Sequence, residues 1–195
     1  MTHTQRSHLF KCPPHWQGSR HGGLDHGVLP PAVASWLFES GSLTQRLRAI
    51  YGTEFRVVVL GQKWAKPWRE ESLALKLRSG QRAIVREVAL QAGDQPLVMA
   101  RSVIPARTLR GADRRLANLG TKPLGHILFS DPRLRRLQLR LTRVKPADWQ
   151  SGLTLQEPPN EPVWGRRSLY SLGPGHKLLV AEFFLPLLLH RHEPA

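Results

Sequence analysis

Residues 82–104 read RAIVREVALQAGDQPLVMARSVI, and this stretch decides the fold. Residues 82–91 and 95–104 are two runs in which apolar positions recur every second residue. They are joined around Ala92-Gly93-Asp94, a turn composition suited to a β-hairpin. Period two puts Arg86 on one face with Ile84, Val88 and Leu90, and Arg101 on one face with Met99 and Val103. Each charge therefore shares a strand face with large apolar side chains. Taking a charge out of water is costly unless a partner or a polar ligand receives it. The placements point to a buried ionic network or a lined anion pocket, with exposure at a sheet edge as the plain alternative.

The pattern returns further along the chain. Residues 177–185 form an apolar run in which Glu182 shares a face with Val180 and Phe184, although both faces of this run are apolar. With residues 166–172 it makes a second hairpin around Gly173-Pro174-Gly175, and Pro186 closes it. Residues 134–144 alternate Leu137, Leu139 and Leu141 with Gln138, Arg140 and Thr142, the mark of a strand with one wet face. The valine-rich residues 54–60 read as another strand.

Helices fill the gaps. Pro30-Pro31 opens one through Val33, Trp36 and Leu37, ending near Ser40-Gly41. Ser42 caps a second that carries Leu43, Leu47 and Ile50 on one face. Residues 109–119 predict a short amphipathic helix stopped by Gly120, and Pro123 starts another. Trp64 and Trp68, within 61–80, are expected to cover a core edge, with a lid over a ligand as the alternative. The order helices, strand, hairpin, helices, strand, hairpin predicts a single α+β domain: a central, mostly antiparallel sheet with helices packed against it. Residues 1–29 lack periodicity and read as a flexible arm, 30–188 as the domain, 189–195 as a tail, and 147–163 as a surface loop.

A chain of 195 residues is long enough to bury a sizeable core. No apolar run approaches the roughly 20 residues needed to span a bilayer, and no secretory segment follows Met1, so a cytoplasmic protein is expected. Cys12, the only cysteine, cannot form an internal disulfide. Histidines 3, 8, 15, 21 and 26 show no metal-binding spacing, and no metal or organic cofactor is expected. The formal charge of +15, from 29 basic and 14 acidic residues, raises nucleic acid or an acidic membrane surface as partners. The basic residues are nevertheless dispersed, without zinc-finger, helix-turn-helix or paired aromatic motifs, and no nucleic-acid partner is expected.

Residues 119–129, LGTKPLGHILF, resemble the signature of bacterial chorismate pyruvate-lyases. Trp36-Leu37 with Ser42-Leu43-Thr44, Val85-Arg86-Glu87 with Pro96 and Arg101, and Trp164-Gly165-Arg166-Arg167-Ser168 continuing into residues 179–186 follow in the family's order, across roughly residues 28–186. The resemblance implies cleavage of chorismate to 4-hydroxybenzoate and pyruvate, the first committed step of ubiquinone ring biosynthesis, in an enclosed pocket that needs no cofactor. It implies that Arg86 holds a ligand carboxylate, that Leu124 contacts ligand through its backbone, and that Glu182 lies near the ring hydroxyl. Leu43 stands where some relatives carry a methionine in the pocket wall. The loop between 145 and 163 is longer than in the shorter members.

Chorismate carries two carboxylates, so a closed pocket must compensate both. Arg86 offers a planar fork for one. Arg101, on the paired strand, is the expected second cation, and Lys122 with the helix start at 123–125 adds positive potential. Glu182 is the candidate for proton relay, with Arg86 as its catalytic companion. The competing reading is a non-catalytic module that binds small aromatic acids as effectors. A monomer that does not span membranes and takes chorismate as substrate is expected.

Overall fold

The computed structural model describes residues 7–18, 29–150 and 159–190. Seven strands form one antiparallel sheet: β1 (Gln17–Gly18), β2 (Phe55–Ala65), β3 (Ala83–Ala92), β4 (Gln95–Pro105), β5 (Arg135–Val144), β6 (Val163–Ser171) and β7 (Lys177–Phe184). Their order across the sheet is β1-β5-β6-β7-β4-β3-β2. The expected hairpins are β3–β4 and β6–β7, and β7 pairs with β4 at the centre of the sheet. Central strands β3 and β4 are buried along both faces, which is why both of their alternating residue sets are apolar or paired.

Helices α1 (Pro31–Leu37), α2 (Leu43–Tyr51), α4 (Leu124–Phe129) and α5 (Pro186–His190) belong with one face of the sheet. Trp36, Leu37, Leu43 and Leu47 pack there against Val88, Leu90, Val98 and Phe184. Pro31 sits in the first turn of α1, and the Ser42 hydroxyl accepts a hydrogen bond from the Gln45 N–H to cap α2. Leu43 and Leu47 turn inward as expected; Ile50, on the last turn of α2, is exposed.

The opposite face is covered by α3 (Arg69–Ala74) and by residues 7–16. This corrects the expectation of a flexible arm through residue 29. Leu9, Phe10 and Trp16 are buried, the Phe10 ring centre lying 4.6 Å from that of Phe183, edge-on, and 4.7 Å from that of Trp149, tilted, and β1 adds to the sheet beside β5. An irregular segment that buries aromatics leaves no periodic trace in sequence. Positions 1–6 and 19–28 of the expected arm lie outside the described residues.

Other boundaries also moved. Leu189 is buried within α5, so the domain runs past residue 188, while 191–195 of the expected tail lie outside the described residues. In place of one helix over 109–119, the chain forms two 3-10 turns, Ala106–Leu109 and Gly111–Ala117. Leu109, Leu116 and Leu119 still face the core, and the tighter path delivers Asp113 to Arg133 (2.9 Å) and His176 (2.8 Å).

Candidate active site

A cavity of about 570 Å³, mouth included, lies between the sheet and the pair α2 and α4. Its floor is Arg86 and Val88 from β3, Ala100 and Ser102 from β4, and Val180 and Glu182 from β7. Leu43 and Thr44 from α2 and Leu124 and Gly125 from α4 form the cover, with Phe129 and Tyr170 as walls. Gly125 allows this closeness: a Cβ there would lie 3.1 Å from the Thr44 hydroxyl and 3.2 Å from that of Ser42. The first-turn N–H groups of α4, beginning at Leu124, have no acceptor within the helix and open beside the cavity.

Arg86 is 3% exposed. Its Nη1 donates to Gln62 Oε1 at 2.9 Å, and its Nη2 is buried without an acceptor among the described residues. A buried donor with no partner is rare, because the lost hydration is not returned. Burial lowers the pKa of Arg86, though an arginine at this depth remains charged at neutral pH. Gln62 in turn donates through Nε2 to the Ala117 carbonyl at 2.8 Å, tying the arginine to the 3-10 segment. Sequence reading missed Gln62 because the expected strand ended at residue 60. Leu60 is an extra residue in β2: Val59 pairs with Val88 but Gly61 pairs with Glu87, and this shift sets Gln62 opposite Arg86. Gly61, directly after the valine-rich run, was the available sign of the bulge.

Glu182 lies cross-strand from Arg166 on β6 and Ala100 on β4. The Arg166 Nε donates to Glu182 Oε2 at 2.5 Å, while Arg166 Nη1 donates to the carbonyls of Glu39 (2.8 Å) and Trp36 (3.1 Å) at the end of α1. Burial works to lower the pKa of Arg166, but the charge and hydrogen bond of Glu182 outweigh it and the pKa rises. One glutamate oxygen is thus committed to a fixed cation. Tyr170, on the same face, has its hydroxyl pKa raised by burial and then by the Glu182 charge. Neither Arg166 nor Tyr170 was singled out from sequence; the doubled Arg166-Arg167 in an apolar strand was the signal, since alternation sends the two guanidinium groups to opposite faces.

Of the expected positions, Arg86, Leu43, Leu124 and Glu182 line the cavity together. Arg101 does not, and its expected place as the second pocket cation is corrected. Near the turn Gln91 pairs with Pro96, but Leu90 pairs with Val98, so Leu97 is an extra residue in β4. Without it Arg101 would stand opposite Arg86; with it Arg101 stands opposite Glu87, on the other face. Pro96, which has no N–H to give a ladder, marked the bulge. There Arg101 donates to Glu71 through Nε (2.7 Å) and Nη2 (3.0 Å) and to Glu87 through Nη1 (2.8 Å), with the Trp68 ring 3.7 Å from its guanidinium carbon. Glu87 also accepts from the Ser7 hydroxyl (2.6 Å) and the His8 N–H (2.7 Å). Trp68 therefore covers the core edge, whereas Trp64 is exposed. The buried ionic network raised by the sequence is present on this face of the sheet, and Arg86 and Glu182 line the cavity on the other.

Comparison with known proteins places this arrangement. Among solved structures, the C-terminal domain of the histidine utilization repressor from Pseudomonas syringae pv. tomato aligns with a TM-score of 0.54 and 18% identity, covering 72% of this chain and 96% of that one. A GntR-family transcriptional regulator from Bacillus cereus aligns at 0.54 with 11% identity, covering 69% and 94%. At such identities these matches speak for the fold alone. Sequence relatives carry more. A protein of Methylococcus capsulatus named probable chorismate pyruvate-lyase is 52% identical over 163 residues, covering 84% of this chain and 100% of that protein. One of the same name from Thiobacillus denitrificans is 42% identical over 178 residues, covering 87% and 94%. The family model for chorismate lyase matches residues 16–193, a span that takes in all seven strands, both faces of the sheet and the whole cavity. A likeness of that extent is shared by whole domains and not by a motif: this chain belongs to the chorismate lyase family.

Proposed function

We propose that the cavity binds chorismate and that the protein cleaves it to 4-hydroxybenzoate and pyruvate, supplying the ring of ubiquinone. The observation that carries this reading is the buried, unpartnered Nη2 of Arg86 in a mostly apolar cavity that also holds one carboxylate, Glu182. A flat ring acid with a hydroxyl at its far end satisfies both ends. Arg86 receives a carboxylate, and the Glu182 oxygen not engaged by Arg166 accepts the C4 hydroxyl. With Arg101 on the other face, the second carboxylate falls to the Leu124 and Gly125 N–H groups and to the hydroxyls of Thr44 and Ser102. Leu43 and Val88 hold the ring between them.

The reaction balances without an external oxidant or reductant. The bond from C3 to the ether oxygen breaks, the C4 hydrogen leaves as the ring becomes aromatic, and a proton arrives at the enolpyruvyl methylene carbon to give pyruvate. Aromatisation supplies the driving force, so fixing the substrate near its reactive geometry is the larger part of the protein's task. Glu182, held against Arg166, orients the hydroxyl and relays the proton. The same contacts hold 4-hydroxybenzoate, so release of product is slow.

No described helix is long and apolar enough to cross a membrane. A monomer in the cytoplasm, with no nucleic-acid partner and no metal or cofactor requirement, completes the reading. The test is incubation of the purified protein with chorismate and separation of the products. Equimolar 4-hydroxybenzoate and pyruvate are expected; tight binding of 4-hydroxybenzoate with no turnover would mean that the module senses aromatic acids and catalyses nothing.

A further inference from the structure

A second concavity lies on the sheet face away from the cavity, between α3, residues 13–16 and strands β5 and β6. Arg140 of β5 and Arg167 of β6 stand directly opposite each other in the ladder, on this face. Like charges in that position repel. Among the described residues one carboxylate answers them: Glu70 Oε2 is 2.5 Å from Arg167 Nη1. Burial pushes the Glu70 carboxyl above its ordinary range even beside that arginine, which weakens the single counter-charge. Arg167 is 5% exposed, and the Nε of Arg140 is buried with no acceptor among the described residues. Lys177 of β7 extends the same concavity and has no salt-bridge partner among the described residues. The sheet has therefore fixed more positive charge here than it neutralises.

The rim is apolar in an unusual way. Leu73 on α3 and Leu137 on β5 are 64% and 50% exposed, the two largest exposures among the described leucines that are exposed, and both border the concavity. A soluble anion would gain nothing from them. A surface that combines negative head groups with an apolar layer gains from both sets of residues. The site is also open and broad, wider than a single carboxylate or phosphate needs. We propose that this face docks the protein on an anionic phospholipid surface, Leu73 and Leu137 entering the interface while Arg140 and Lys177 meet the head groups and buried Arg167 adds positive potential behind them. Docked this way, the protein turns the sheet face that bears the substrate cavity away from the lipid.

The test is co-sedimentation of the full chain with phosphatidylcholine vesicles, with and without phosphatidylglycerol. Binding is expected only to the phosphatidylglycerol vesicles, falling as salt is raised. The double variant Arg140→Glu/Lys177→Glu should lose on the order of tenfold or more in affinity, and Leu73→Ser/Leu137→Ser a smaller but measurable part. All four positions are clear of the substrate cavity, so thermal unfolding and chorismate turnover serve as controls for folding. A second control, Arg48→Glu/Lys63→Glu, makes the same change of net charge elsewhere on the surface and should bind vesicles like the parent. Equal loss in that control would reduce the effect to diffuse charge and overturn the site, as would absence of binding to phosphatidylglycerol. Capture of a glutamate-rich peptide in place of vesicles would overturn the lipid assignment.

Discussion

Arg86 is set for ligand by what it lacks. Gln62 occupies one end of its guanidinium and no described residue accepts from the other, so an arriving carboxylate repays a desolvation cost already incurred in folding. Arg86→Ala should abolish the rise in thermal unfolding temperature caused by 4-hydroxybenzoate and lower kcat/KM on the order of 10²-fold or more. Arg86→Lys keeps the charge without the planar fork and should fall between the two. An unaltered ligand-induced rise in either variant would remove Arg86 from the site. Glu182 separates binding from chemistry. Glu182→Gln retains shape and hydrogen bonding, so 4-hydroxybenzoate should still bind while kcat falls roughly 10²–10⁴-fold, the range for a positioned acid-base group. Near-normal kcat would make Glu182 a positioner only, and titration calorimetry beside steady-state kinetics decides between the two.

Strand pairing, more than side-chain type, decides which residues meet. Gly165 of β6 faces Phe183 of β7, and a Cβ there would come 2.6 Å from Phe183 Cδ1 and 3.0 Å from Thr142 Cγ2. Phe183 cannot yield easily, wedged among Phe10, Trp16 and Trp149. Gly165→Ala should therefore destabilise by about 1–3 kcal/mol, read as a lower melting temperature with the cavity residues untouched. The same logic explains what sequence could and could not reveal. Alternation and turn residues located both hairpins and the long β5, and capping placed the starts of α1, α2 and α4 within a residue or two, although α1 ends at Leu37, short of Ser40-Gly41. Alternation fails across a bulge, because one extra residue reverses the face of everything beyond it. Leu97 moved Arg101 off the cavity in this way, and Leu60 set Gln62 opposite Arg86. Arg166 escaped notice for a different reason: its value lies in a cross-strand neighbour, and pairing partners are not written in a single strand.

The molecule as a whole divides labour between the two faces of one sheet. Adjacent residues Arg86 and Glu87 point to opposite sides, the first to the cavity and the second to the cluster of Arg101, Glu71 and Glu87. Removing the shared cation strands two buried carboxylates. Arg101→Ala should cost roughly 3–5 kcal/mol of stability, while protein kept folded at low temperature should bind 4-hydroxybenzoate almost as the parent does. A large loss of affinity in folded protein would instead tie Arg101 to the ligand. Strand β2 has a further consequence. It is the outermost strand on its side of the sheet, paired among the described strands with β3 alone, yet among the described residues it carries the one side chain hydrogen-bonded to the Arg86 guanidinium. Fraying at a sheet margin is among the least costly excursions a folded chain makes, and each time β2 peels back at Gln62 the guanidinium loses its brace. Occupancy of the cavity should be felt in reverse: amide hydrogens around Gly61 and Gln62 exchange with solvent more slowly when an aromatic acid is bound, although no part of β2 beyond Val57 borders the cavity.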